Sequence, residues 1–87
     1  MAANSRLAVA AHIVSVLASQ CDRFVPSHAI AGSVNTNPVV IRRILAALTR
    51  AGIVTSEQGK SGGSKLVKCP EDINLWDLSV ALGEERL

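Results

Sequence analysis

Two histidines, two cysteines and seven carboxylates are the groups in this 87-residue chain that could hold a metal or move a proton. Their spacing serves neither task. Serine nucleophiles need a base and an exposed turn, and zinc hydrolases need paired histidines on one helix face. The chain carries no nucleophile elbow, no HExxH and no paired-carboxylate arrangement. Cys21 and Cys69 are too few and too far apart for a paired CxxC site. They are expected to be small, reduced, buried thiols, since only Arg23 or Lys68 stands near enough in sequence to favour a thiolate. His12 interrupts an apolar segment and has no second ligand at metal spacing, so it is expected to be a packing or boundary residue. The glycine-rich "GKSGGS" at 59–64 lacks the phosphate-loop spacing that ends in Gly-Lys-Ser/Thr. No cofactor, no metal and no enzymatic activity are expected.

What remains is positive charge with few local partners. Residues 1–70 hold eight Lys or Arg against Asp22 and Glu57, a balance of +6, and residues 71–87 hold Arg86 against five acids, a balance of −4. A basic body with an acidic tail suits a polyanion, because Lys and Arg steer and hold phosphates. The charge concentrates behind "SVNTNPVVIRR" (Ser33 to Arg43), where two asparagines and a proline separate apolar segments and adjacent arginines follow.

The elements that would position these groups can be read from punctuation and periodicity. Ser5 can cap a first helix running to about Ser19, with Val9, Ile13, Val16 and Leu17 as its apolar stripe. "QCDR" ends it. Phe24 and Val25 before Pro26 fit a brief edge strand, and a short second helix starts near Ser27 with Ala29, Ile30 and Val34 facing the core. Asn35 and Thr36 supply a turn. Asn37 then stands at an N-cap and Pro38 at the first position of a third helix, which stops at Gly52. Ile41, Ile44, Leu45 and Leu48 share one face of that helix. Val39, Arg42, Arg43, Ala46 and Arg50 share the other, with no acidic residue on the helix. "IVTSEQ" and "KLVKC" read as two strands joined through the glycine-rich loop, and Pro70 ends the second. Asn74 with Asp77 three residues on resembles a capping box for a fourth helix with Leu75, Leu78 and Leu82 inward. Trp76 and Val80, beside that stripe, are expected to cover the edge of the core, the alternative being contact with a partner.

The fold class that follows is mainly α with a small β-hairpin: a winged helix-turn-helix occupying residues 1–87 as one domain, with a three-helix core, a wing and a fourth helix. A short helix, a tight turn and a second helix with a basic outer face are the parts that lay an α-helix in the DNA major groove. Asn37, Val39, Val40, Arg42 and Arg43 are the residues expected nearest bases, since arginine can reach guanine O6 and N7, and Thr36 in the turn is a further expected DNA contact. Ser27 and His28 open the preceding helix and are expected on the sugar-phosphate backbone. Lys60, Ser61 and Lys65 flank the wing tip, where glycines would let the chain approach a minor groove or a phosphate.

"SRLAVAAHIVSVLA", "SVNTNPVVIRRILAALTRAGIV", the wing "GKSGGSKL" and "PEDINLWDLSVAL", taken together, resemble the Rrf-two (Rrf2) family of winged helix-turn-helix transcriptional regulators over nearly the whole chain. The helix ending in "RAGIV", the paired glycines and "PEDINLWDL" in that order carry the resemblance. It implies a bacterial DNA-binding regulator, often a repressor, working as a homodimer on a palindromic operator. Two departures qualify what carries over. The family's wing usually has an aromatic residue just after the paired glycines, where this chain has Ser64. The three cysteines of cluster-sensing members and the long dimerisation helix lie beyond the fourth helix, so cluster binding is not expected of these 87 residues, and a dimer would need another surface or further chain.

Two other expectations concern place and class. The run Leu7 to Ala18 resembles the core of a signal peptide, but His12 breaks it and "ASQC" lacks the small residue expected before a processed cysteine. It is also too short to cross a bilayer, so a cytoplasmic location and no membrane partner are expected. The alternative to DNA binding is a protein-interaction module, because winged helices also serve as docking domains and a fold does not fix a function.

Overall fold

The computed structural model describes residues 2–20, 23–57 and 62–83, with side chains from Arg6 onward. Its elements are α1 (Ala2–Ser19), α2 (Ser27–Val34), α3 (Pro38–Arg50), β1 (Val54–Glu57), β2 (Gly63–Leu66), a 3-10 turn (Pro70–Asp72) and α4 (Leu75–Leu82). This is the expected order of helices and hairpin. Helix α1 begins ahead of Ser5, which therefore lies within the helix and does not cap it. No helix among the described residues is long and apolar enough to cross a membrane.

The core is aliphatic. Ala10, Ile13 and Leu17 from α1, Ile30 and Ala31 from α2, Ile41, Ile44, Leu45, Ala47 and Leu48 from α3, and Leu78 and Leu82 from α4 close on one another. Burying each Ile or Leu side chain stabilises the fold by about 1.5–3 kcal/mol. The stripe of α1 is rotated slightly from the expected one: Ala10, Ile13 and Leu17 are its centre, while Val9 and Val16 are half-buried at its flanks. In α2 the inward positions are Ile30 and Ala31. Ala29 is exposed, because i and i+1 cannot both face a helix's inner side together with i+2.

The turn between α2 and α3 is built by the two asparagines. Asn35 adopts the left-handed conformation at φ 61°, and the N–H groups of Asn35 and Thr36 both reach the carbonyl of Ala31, at 2.7 and 3.3 Å. Asparagine tolerates that conformation better than most side chains do. Asn37 Oδ1 then accepts the N–H of Val39 at 2.7 Å, with Pro38 as the first helical residue. At the far end Gly52, at φ 79°, reverses the chain, and the N–H of Ile53 closes on the carbonyl of Leu48 at 3.0 Å. Ile53 and Val54 follow at once into the core, which anchors β1 to the base of α3.

β1 and β2 pair antiparallel with Val54 opposite Leu66 and Glu57 opposite Gly63. The expected edge strand at Phe24 and Val25 is present as a single bridge. Val25 donates to the carbonyl of Ser64 at 2.8 Å, and Ser64 donates back at 2.9 Å. β2 starts and ends earlier than "KLVKC" suggested, so Val67, Lys68 and Cys69 emerge into solvent ahead of the 3-10 turn. Cys69 is accordingly exposed, against the expectation of a buried thiol. Cys21 lies outside the described residues.

Helix α4 carries the expected capping box: Asn74 Oδ1 accepts the N–H of Asp77 at 2.8 Å, and Asp77 accepts that of Asn74 at 3.2 Å. Leu78 and Leu82 point inward, but Leu75 is 60% exposed. Trp76 and Val80, expected at the core edge, are 64% and 45% exposed. The helix is only eight residues long, and Ile73, just ahead of it, packs against the core where Leu75 was expected. His12 is exposed on α1, a boundary residue as expected.

Candidate nucleic-acid interface

Helix α3 divides its residues between two environments. Ile41, Ile44 and Leu48 are fully buried, while Arg42, Arg43, Ala46 and Arg50 are exposed, as are Val39 and Val40 in the first turn. Burial of the inner face fixes the rotation of the helix, and that rotation is what aims the outer face at solvent. Among the described residues, Arg42, Arg43 and Arg50 have no acidic partner within ion-pair distance. Three guanidinium groups with donors to spare on one helix make a surface that can meet phosphates and guanine edges.

The two adjacent arginines serve different sides. Arg42 forms one wall of an open groove of about 430 Å³. Ser27 and His28 at the start of α2 line a second wall, and Ser56, Glu57 and the backbone of Gly62–Ser64 line the wing side. Arg43, with Val40 and Ile44, borders a separate hollow of about 330 Å³ whose other wall is Arg6 of α1. Residues i and i+1 on a helix diverge by about 100°, so a sequence pair of arginines becomes a spread of charge across the helix. The expected backbone contacts Ser27 and His28 therefore meet Arg42 and the wing in one groove, and Arg43 stands apart from them.

Other expected contacts are partly committed elsewhere. The side chain of Asn37 is engaged as the cap of α3, and Thr36 is half-buried in the turn. Lys65 holds its Nζ 5.0 Å from the centroid of the Phe24 ring, so its ammonium is drawn to the root of the wing by a cation–π contact. Lys60 and Ser61 lie outside the described residues.

Three residues that the sequence did not mark as shaping a site shape this groove. Val25 ties the wing to the start of α2 through the two bridge hydrogen bonds. Gly63 permits that approach: a Cβ there would lie 2.5 Å from the carbonyl carbon and oxygen of Val25 and 2.8 Å from the nitrogen of Pro26. The paired glycines were expected to free the wing tip for DNA, but the second of them is a close-packing position. Among the described residues, Glu57 is the one acidic residue on the groove wall. At the position where the resembled family has its aromatic, Ser64 is 5% exposed, with its Oγ 3.5 Å from that of Ser56.

Comparison with known proteins matches this architecture. Residues 3–87 fit the Rrf2 family model, "Iron-dependent Transcriptional regulator". The chain is similar to the "Putative HTH-type transcriptional regulator YwnA" of Bacillus subtilis (strain 168), with 48% identity over 82 residues, covering 94% of this chain and 59% of that protein. Among solved structures it resembles "a putative DNA binding protein" at 47% identity and TM-score 0.79, covering 90% of this chain and 65% of that one. The fold is also that of CymR, the global cysteine regulator of B. subtilis, at 23% identity and TM-score 0.84, covering 92% and 63% of the two chains. The chain thus spans about three fifths of the length of these relatives. The family's description names iron; among the described residues no three His, Cys, Asp or Glu side chains gather where they could hold a metal ion, so these residues offer iron no ligand set. The family and the curated relative are transcriptional regulators, not enzymes. With a family model matching from residue 3 to residue 87 and a fold of four helices and one hairpin, this chain belongs to the Rrf2 family and has its winged-helix architecture.

Proposed function

We propose that residues 1–87 form one winged helix-turn-helix domain that binds double-stranded DNA sequence-specifically, as part of a cytoplasmic transcriptional repressor. The observation that carries this is the outer face of α3, where Arg42, Arg43 and Arg50 are exposed with no acidic partner among the described residues, and Arg42 borders a groove shared with α2 and the wing. In this reading α3 enters the major groove, with Val39, Val40, Arg42 and Arg43 nearest bases. Thr36 and Asn37, in the turn that starts α3, are the further proposed contacts to DNA. Ser27 and His28 take the adjoining sugar-phosphate backbone, and the wing, with Lys60, Ser61 and Lys65, follows the next backbone or minor groove. Two copies on a palindromic operator would place half-sites one helical turn apart, about 34–36 Å, or a multiple of it.

Fluorescence anisotropy against operator fragments selected from genomic DNA tests the reading. Arg42→Ala and Arg43→Ala should each weaken operator binding by about 1–3 kcal/mol where the contact is bidentate to a base. A folded double variant with wild-type affinity at physiological salt would remove α3 from the interface. Absence of any duplex binding at low salt would favour the protein-interaction module, for which the exposed Leu75, Trp76 and Val80 on α4 offer an apolar face.

A further inference from the structure

The hollow between α1 and α3 joins positive charge to apolar surface. Val40, Arg43 and Ile44 stand at i, i+3 and i+4 and so share one face of α3, and Arg6 of α1 closes the hollow of about 330 Å³ from across. Ile44 is 1% exposed and gives an apolar floor, while Val40, at 36%, leaves part of its side chain open. Arg6 Nη2 donates to the carbonyl of Leu82, the last residue of α4, at 3.4 Å, which ties that guanidinium to the end of α4. A guanidinium carries five donors in a planar fork that matches the two oxygens of a carboxylate. Two such forks beside an apolar floor suit one kind of molecule: an anionic head joined to a short apolar body. The volume lies at the lower end of the range for small-molecule sites, about 300–1,000 Å³.

We propose that this hollow binds a small organic carboxylate, its oxygens on Arg6 and Arg43 and its apolar body on Val40 and Ile44, and that the bound molecule keeps α3 from DNA. The competition, though not the binding, rests on the DNA-binding reading above. Val40 and Arg43 are assigned there to base contacts, and one guanidinium cannot hold a carboxylate and a base edge with the same fork. Inorganic phosphate or sulfate would use the charge and leave Val40 and Ile44 uncovered, so an ion without an apolar body is the weaker ligand. The carboxylate then acts by mass action, releasing the operator as its concentration passes its dissociation constant, with no change of fold required.

The test is an amide NMR titration of the whole chain with sodium benzoate, with benzyl alcohol as the uncharged control and sodium sulfate as the purely ionic one. The signals of Val40, Arg43 and Ile44 should shift together and saturate, with a dissociation constant on the order of 1 mM for so open a site. Arg6→Gln and Arg43→Gln should each raise that constant about five-fold or more, whereas Arg23→Gln, exposed and outside the hollow, should leave it unchanged. The amide spectrum of each variant checks its fold. Benzoate at about ten times its dissociation constant should lower the apparent affinity for a selected operator about ten-fold relative to sodium chloride at equal ionic strength. Shifts that do not saturate, or that sulfate or benzyl alcohol reproduces at the same concentrations, overturn the site. Saturable binding with operator affinity unchanged against chloride overturns the competition. If the wild-type chain binds no duplex at low salt, the DNA-binding reading fails and the competition with it, while the titration decides the site by itself.

Discussion

Gly63→Ala should destabilise the fold by about 2 kcal/mol, although alanine is the smallest side chain that can be added. The new Cβ would sit 2.5 Å from the carbonyl of Val25, where ordinary contacts begin at about 3.4 Å, so the two backbones must part by nearly 1 Å. That separation breaks the paired bonds between Val25 and Ser64, now 2.8 and 2.9 Å. Each contributes about 1 kcal/mol net, and Val25 and Ser64 are both buried, so any group left unsatisfied adds a further 1–3 kcal/mol. Against this, alanine restricts the unfolded chain and returns about 0.4–1 kcal/mol. Urea denaturation followed by circular dichroism should show a lower midpoint at unchanged slope, and in a domain of this size a melting temperature lower by about 8–16 °C. Gly32→Ala is the control, since nothing lies within 4 Å of a Cβ there and the site is an exposed helix position; it should stabilise by about 0.5–1 kcal/mol. If Gly63→Ala is as stable as wild type to within about 0.5 kcal/mol, the wing is not held to Val25 in the way described.

Three further substitutions test the cap of α3 and the packing of α4. Asn37→Ala removes the cap on α3, where Asn37 Oδ1 accepts the N–H of Val39, and should cost about 1 kcal/mol in urea denaturation; a fall in operator affinity beyond what the unfolding accounts for would assign a DNA contact to the remaining NH2 group. On α4, Trp76→Ser should change stability by less than about 0.5 kcal/mol, whereas Leu78→Ala should cost about 2–4 kcal/mol; a reversed order would mean that Trp76 is packed in the core.

Some of this molecule could be read from the chain because the signals are local. Asn37-Pro38 starts α3 and Asn74 with Asp77 starts α4 within a few residues of the bonds they make. The two faces of α3 follow from a single period, and burial of Ile41, Ile44 and Leu48 left the arginines outside. The failures are of two kinds. The divergence of Arg42 and Arg43 was present in the helical geometry, but adjacent charges in a string invite treatment as a unit. The bridge from Val25 to Ser64, the closeness that forces Gly63 and the capture of Lys65 by Phe24 all join residues far apart in sequence. No local pattern carries them. The exposure of Trp76, Leu75 and Val80 belongs with these, since a helix of eight residues has more apolar positions than the core has room to accept.

The non-local contacts alter how the proposed interface should respond to change. Ser27 and His28 follow directly after Val25 and Pro26, and Val25 is hydrogen-bonded to the wing at Ser64. The start of α2 and the wing are therefore one body, and the hairpin's other strand continues from Ile53 and Val54, which are packed at the end of α3. A duplex contacting α2, α3 and the wing would touch three pieces of one stapled frame, held by two short hydrogen bonds and one cation–π contact on the solvent side. Lys65 then acts first on the frame: Phe24→Leu, which keeps the apolar bulk and removes the aromatic face, should loosen the lysine without opening the core. If Lys65 meets phosphate once freed, this variant should bind random duplex more tightly and with a steeper salt dependence than wild type. Unchanged binding would leave Lys65 as a staple of the wing with no part in holding DNA.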